Sequence, residues 1–235
     1  VITLAIDTSS AVGSVAIVKD GEAISEKRLT SLPGHSESLL ITIRQMLDHA
    51  GLTTRDICLL AAGNGPGSFT GLRVGLATMK GLHLSTGAPL LAAPSLLALA
   101  MNLDVSSNPP PFVCAAIDAR RGDVFAAVYR FEGGGATKVI EEKMARPDGV
   151  IADLSALGTE VLCLGDAFIP PARGEAVPLL GATGRMIVPA EGSLHFPSAV
   201  NVARIAGRRL AGGEIDDAAS IEPRYVRPVD FKIKG

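Results

Sequence analysis

The run Gly63-Asn64-Gly65-Pro66-Gly67-Ser68-Phe69-Thr70-Gly71-Leu72-Arg73-Val74-Gly75 puts five glycines and a proline between a strand end and a helix start. Two uses fit it. A glycine-rich turn at a helix N-terminus presents free N–H groups to an anion. Alternatively, Gly71 and Gly75 lie four apart on one helical face and leave a groove that a neighbouring helix can enter. No Gly-Lys-Ser/Thr follows, so the lysine that would hold β- and γ-phosphates in a Walker-A loop is missing. His35, His49, His83 and His195 share no i, i+4 relation, and neither His-Glu-x-x-His nor a Gly-x-Ser-x-Gly elbow occurs. The expectation is a chain with no catalytic residue, no metal and no cofactor of its own.

The positioning elements follow from periodicity. Alternation over 1–7, 14–19 and 22–30 predicts three strands, with Asp20-Gly21 as a type I′ hairpin turn. Pro33-Gly34 ends the third. Residues 36–49 then carry Leu39, Leu40, Ile43 and Leu47 on a helical stripe closed by Gly51, and a buried strand follows over 58–62. The glycine run opens a helix over 68–86. The order recurs: strands over 112–118, 124–131 and 137–144, a Gly133-Gly134-Gly135 turn, a helix over 147–157 and a strand over 161–165. Ala5-Ile6-Asp7 and Ala116-Ile117-Asp118 occupy equivalent places, so a duplicated β-β-β-α-β unit is the economical reading. The prolines of 104–111 favour extended chain and mark the boundary between 1–103 and 112–235. A last helix over 198–211, ending at Gly212-Gly213, and the tail are expected to pack back; 167–197 reads as irregular.

Composition narrows the classes. With 235 residues, 47% of them hydrophobic, the chain is globular, and a net charge of −2 gives no global attraction to nucleic acid. Cys58, Cys114 and Cys163 stand far apart among apolar neighbours, which predicts reduced, buried thiols in the cytoplasm. No secretion signal is read at the start, and the longest apolar stretch, 88–101, falls short of the roughly 20 residues that cross a bilayer.

A duplicated α/β unit with an aspartate closing each first strand resembles the ribonuclease H-like subdomains of the actin, Hsp70 and sugar-kinase superfamily: mixed sheets with flanking helices. In that superfamily a glycine-rich loop after the first aspartate holds ATP phosphates. Here Asp7, Thr8 and Ser9 keep the carboxylate and hydroxyls, but the glycine two residues after the aspartate is missing, and Asp118-Ala119-Arg120-Arg121-Gly122 has no Gly-Thr pair. The resemblance therefore implies a degenerate phosphate loop at Asp7, Thr8 and Ser9.

A closer resemblance rests on several motifs together. These are Ala5-Ile6-Asp7-Thr8-Ser9 with Gly13-Ser14-Val15-Ala16, His35-Ser36-Glu37, Gly65-Pro66-Gly67-Ser68-Phe69-Thr70-Gly71-Leu72-Arg73, Ile117-Asp118-Ala119-Arg120 with Gly122-Asp123-Val124-Phe125, and Pro223-Arg224-Tyr225-Val226-Arg227. Over nearly the whole chain the sequence resembles the bacterial TsaB family, also called YeaZ, which older records label glycoprotease-like or M22 peptidases. The resemblance implies a noncatalytic scaffold in making N6-threonylcarbamoyladenosine at position 37 of tRNA. It would pair with the catalytic subunit TsaD, with the ATPase TsaE joining them, and two copies would pair in isolation. Catalytic relatives carry His-x-x-x-His after the strand that follows the glycine helix; Ser95 and Leu99 stand at those positions. The family's two pairing helices imply a partner interface at His35, Leu39, Ile43, Met46, Gly71, Leu72, Gly75, Leu76, Met79 and Lys80, with Leu72, Leu76 and Met79 as anchors. Ser36 is expected to cap its helix. Arg204, Arg208, Arg209, Arg224, Arg227, Lys232 and Lys234 form either a tRNA patch or a solvated face. The competing readings are an autonomous ATPase or kinase of the actin-like superfamily, and a peptidase.

Overall fold

The computed structural model describes residues 1–30, 36–103, 112–133, 135–169 and 186–226. Pro33-Gly34, His35, the 104–111 connection, Gly134 and everything from Arg227 onward lie outside the described residues, as does the side chain of Ser36.

In the first half, β1 (Ile2–Asp7), β2 (Gly13–Lys19) and β3 (Glu22–Leu29) form an antiparallel meander. Asp20 and Gly21 take φ of 52° and 88° at its second turn, as a type I′ hairpin requires. After α1 (Ser36–His49), β4 (Leu59–Gly63) pairs parallel with β1; after α2 (Phe69–Thr86), β5 (Leu90–Ala93) pairs parallel with β4. The sheet order is β3-β2-β1-β4-β5, and the short α3 (Ser95–Ala100) follows. The second half repeats this with β6 (Phe112–Arg120), β7 (Asp123–Glu132), β8 (Gly135–Ala145), α4 (Pro147–Ala156), β9 (Val161–Leu164) and β10 (Met186–Ile187), in the order β8-β7-β6-β9-β10. Both sheets are mixed, and their central strands end on Asp7 and carry Asp118: this is the duplicated actin-like α/β fold.

Alternation along the strands decides which helix covers which face. Leu4, Ile6, Val15, Ile17 and Leu60 point to a face packed by Leu39, Ile43, Met46 and Leu47 of α1 and by Leu76 and Met79 of α2. The opposite face is built on small residues, Ala5, Ala16, Ala61 and Ala93, so a helix can lie close against it. That helix is α5 (Ala199–Ala211), contributed by the far end of the chain through Val202, Ala203, Ile205 and Ala206. Conversely, Leu96, Leu99 and Ala100 of α3 enter the core of the second sheet with Val113, Ala115 and Ile117; α4 covers its other face through Val150 and Leu154. Each half thus lends a helix to the other, and the packing boundary does not coincide with the 104–111 connection.

The described part of 167–197 holds β10 and a short 3-10 turn at Gly192–His195. One thiol expectation needs correcting: Cys114 and Cys163 are buried, but Cys58 is exposed, because it precedes β4 rather than lying within it. Among the described residues no helix is long and apolar enough to cross a membrane.

Candidate functional site

The loop following β1 and the glycine run form one joint. Asp7, Thr8, Ser9 and Ser10 are all buried. The Ser9 N–H and hydroxyl donate to Asp7 Oδ1 at 2.8 and 2.5 Å, and Ser95 Oγ donates to Asp7 Oδ2 at 2.7 Å. Burial raises the Asp7 pKa, against these hydrogen bonds and the charge of Arg28, which favour the carboxylate. A Cβ on Gly63 would come within 2.0 Å of Asp7 Oδ2, so β4 closes the remaining side.

The helix α2 caps this loop from above. Ser68, its N-cap, accepts the Gly71 N–H at 3.2 Å, while the Ser68 N–H donates to Ser9 O at 2.6 Å. Thr8 Oγ1 donates to Gly71 O at 2.8 Å. A Cβ on Gly71 would sit 2.1 Å from Thr8 O, and one on Gly75 2.3 Å from Thr8 Oγ1. The groove between these glycines therefore receives the chain's own loop. This corrects the expected phosphate loop: the polar atoms of Asp7, Thr8 and Ser9 are enclosed by internal partners, with no opening for a phosphate.

The two positions compared with a metal-binding histidine pair are equally committed. Ser95 Oγ also accepts the Gly65 N–H at 3.0 Å, and Leu99 lies in the second core. His195, fully buried, bonds Pro189 O through Nε2 at 2.8 Å and meets the Gly165 backbone through Nδ1 at 3.1 Å, fixing the segment before α5. Among the described residues no group of three His, Cys, Asp or Glu side chains is placed to hold a metal.

The halves meet beside this joint. Asp166, after β9, accepts the Asp118 N–H at 2.8 Å and a backbone hydrogen bond from Ala11 in the first loop. Burial pushes its carboxyl up to about 6, and the Asp118 charge adds to this; the two N–H donors and Arg120 oppose it.

The expected interface residues need correcting most. Leu39, Ile43, Met46, Leu72, Leu76 and Met79 are buried in the chain's own core, between 0 and 8% exposed, because the large-residue face of the first sheet takes up the apolar stripes of both helices. None of them can anchor a partner in this conformation. Gly71 and Gly75 are filled by Thr8, and Lys80 reaches Ala219 O at 3.1 Å.

What these helices do expose is Leu40, Ile41, Phe69, Arg73 and Leu84. Phe69 stacks against Tyr225 with ring centroids 5.4 Å apart, the Arg73 guanidinium lies 3.8 Å over the Phe69 ring, and Arg73 Nε donates to Tyr225 Oη at 3.3 Å. Both rings remain about half exposed, at 52%. The sequence signals were the Phe69/Arg73 spacing of four on the helix and a tail expected to pack back through Tyr225 and Phe231; that Tyr225 would meet Phe69 and Arg73 had no local signal.

The basic candidates are mostly paired internally. Arg209 bonds Asp216 at 2.7 Å, Glu214 at 2.8 Å and Ala92 O at 2.7 Å, and Arg224 meets Glu142 of β8 at 3.2 Å. Arg204 bonds Asn201 and Gly21 O, and Arg208 is also partnered.

Comparison with known proteins agrees with this geometry. A family model described as TsaD, tRNA N6-adenosine threonylcarbamoyltransferase, matches residues 30–165. The tRNA threonylcarbamoyladenosine biosynthesis protein TsaB of Escherichia coli is 31% identical over 225 residues, covering 95% of this chain and 94% of the relative. TsaB of Bacillus subtilis is 26% identical over 98% of this chain and 96% of its own length. Among solved structures, YeaZ from Pseudomonas aeruginosa superposes with a TM-score of 0.77 at 27% identity, covering 95% of this chain and 99% of that one. The chain belongs to this threonylcarbamoyltransferase-related family, in its TsaB (YeaZ) branch.

Proposed function

We propose that this chain is the noncatalytic scaffold subunit of the cytoplasmic assembly that forms N6-threonylcarbamoyladenosine at position 37 of tRNA. It docks on a TsaD-like catalytic subunit, and a TsaE-like ATPase joins the pair. The observation that carries this reading is the sealed joint at Asp7: the carboxylate that would face a nucleotide accepts three hydrogen bonds from its own chain and is walled by Gly63 and α2. An autonomous ATPase or a peptidase finds no reacting group there.

The exposed aromatic cluster supports the docking role. Tyr and Arg are among the side chains that most often dominate interface energies, Phe is enriched at interfaces, and Phe69, Arg73 and Tyr225 already hold one another in place, so little entropy is lost on binding. Leu40 and Ile41 are likewise exposed, near the start of α1, which packs against α2. In the absence of the catalytic subunit, the same face pairs two copies of this chain. The reading is tested by mixing the chain with cognate TsaD, TsaE, tRNA and threonylcarbamoyl-adenylate and omitting one component at a time. Modified tRNA is expected only with this chain present, and undiminished modification without it would remove the scaffold role.

A further inference from the structure

Beyond Ile221, the last buried residue among those described, residues 222–226 form no helix or strand, yet they cross both halves of the chain. The Arg224 N–H donates to Asn64 O in the glycine run at 2.8 Å, and a Cβ on Gly65 would stand 3.5 Å from Arg224 O. The guanidinium of Arg224 reaches the other half: Nη2 lies 3.2 Å from Glu142 Oε2, and Nη1 donates to Glu142 Oε1 at 3.5 Å. Tyr225 then lands on Phe69 and Arg73 at the start of α2. A segment with no place in a sheet or helix is thus held by a backbone hydrogen bond, an ion pair and an aromatic contact.

Of these, the ion pair has the strongest reason to persist. The Glu142 side chain is 3% exposed, and a buried carboxylate is costly unless a cation meets it. Lys138 approaches Glu142 Oε1 at 3.5 Å but is shared with Glu141, which it bonds at 3.2 Å. Arg224 supplies the second cation from 82 residues away in the sequence. The contacts of Tyr225 are slight by comparison: half of its ring is open to water, and its bond to Arg73 Nε, at 3.3 Å, is long.

We propose that the Glu142–Arg224 pair is a latch that positions Tyr225 on α2, so that the second half of the chain sets the docking face carried by the first. Neither latch residue needs to touch a partner. The coupling is reciprocal: a partner that grips the aromatic cluster also holds β8 to the glycine run through Arg224, and a change at β8 reaches the partner without direct contact. The inference rests on the proposed docking role of Phe69, Arg73 and Tyr225.

Tyr225 can be followed directly, because the chain has no tryptophan and its other tyrosine, Tyr129, is 2% exposed. Acrylamide quenching of tyrosine emission therefore reads the accessibility of the Tyr225 ring in the isolated chain, with no partner present. Arg224→Met and Glu142→Gln are each expected to raise the quenching constant toward that of a free tyrosine. Arg224→Lys, which keeps the charge, should fall between them and wild type, and Glu142→Gln/Arg224→Met leaves no buried charge unpaired. Calorimetric titration into the TsaD-like subunit then asks through which residue the latch acts. Each single variant should weaken binding about tenfold, and the double variant no more than about twofold beyond either, because both remove one contact. In a Tyr225→Ala background the same losses should shrink to within about twofold, since no ring remains to be positioned. A merely structural contact would cost the same affinity with or without Tyr225. Unchanged quenching in the single and double latch variants overturns the latch, whatever docks on the chain. So does a loss of affinity that persists in full in the Tyr225→Ala background, or full affinity in the latch variants where Tyr225→Ala weakens binding. Raised quenching with affinity untouched in every variant, Tyr225→Ala included, would leave the latch standing and sink the docking reading of the cluster.

Discussion

At Gly71 a single methyl group meets firm resistance, because its Cβ would come within 2.1 Å of the backbone oxygen of Thr8, which cannot swing away like a side-chain end. Gly71→Ala is therefore expected to lower stability by about 1–3 kcal/mol, the range for forcing extra volume into a packed core. Gly81 supplies the matched contrast in the same helix: nothing lies within 4 Å of its Cβ position, so Gly81→Ala should stabilise by up to about 1 kcal/mol through helix propensity alone. Urea unfolding of the two variants reads both signs, and equal midpoints would refute the Thr8 joint. Gly75→Leu, which clashes with Thr8 Oγ1, belongs with Gly71→Ala as a folding defect; any loss of docking would follow from it.

At the level of elements, α2 separates two kinds of substitution that the sequence alone had merged. Leu76→Arg buries a guanidinium among Leu4, Ile6 and Leu60, where it has no partner, so the chain should unfold rather than merely stop binding. Phe69→Ala and Tyr225→Ala remove half-exposed rings and should leave the melting temperature within a few degrees of wild type. Each should weaken TsaD binding by about 2 kcal/mol, roughly 30-fold, if these rings anchor the interface. Calorimetric melting with titration into TsaD separates the outcomes, and full affinity in both ring variants would remove the cluster from the interface. The helix and its apolar stripe were legible because a 3.6-residue period needs only local sequence, as were the meander from Asp20-Gly21 and the repeated strand order. What the stripe packs against was not legible: periodicity reports that Leu72, Leu76 and Met79 are covered, and says nothing about whether their own sheet or a partner covers them. The loop joint escaped for a related reason. Thr8 and Gly71 are 63 residues apart, and no local pattern ties a threonine to the glycine that accommodates it. The basic helix read as a solvated or RNA-binding face because Asp216 and Glu214, which bond Arg209, lie beyond its end.

Across the whole molecule, the exchange of α3 and α5 between the two cores makes the halves one cooperative body, and Asp166 is one titratable group at their contact. Its carboxyl stands at about 6 against an ordinary 3.8, chiefly because burial disfavours the charge. The folded state therefore holds a proton that the unfolded chain has released between roughly pH 4 and 6, and stability falls as pH rises through that window. A difference of about two pH units corresponds to about 3 kcal/mol, lost by pH 7 and regained near pH 4. Asp166→Asn keeps the shape and cannot ionise, so the difference in unfolding free energy between wild type and variant should shift by about 2–3 kcal/mol in favour of wild type from pH 7.5 to pH 4.5. Asp7, whose pKa is also raised by burial, contributes in the same direction in both proteins and cancels from the comparison. Urea titrations of both chains at half-unit pH steps measure the effect. A difference that stays flat with pH would mean that Asp166 carries its charge at no penalty, and that the contact between the halves admits water.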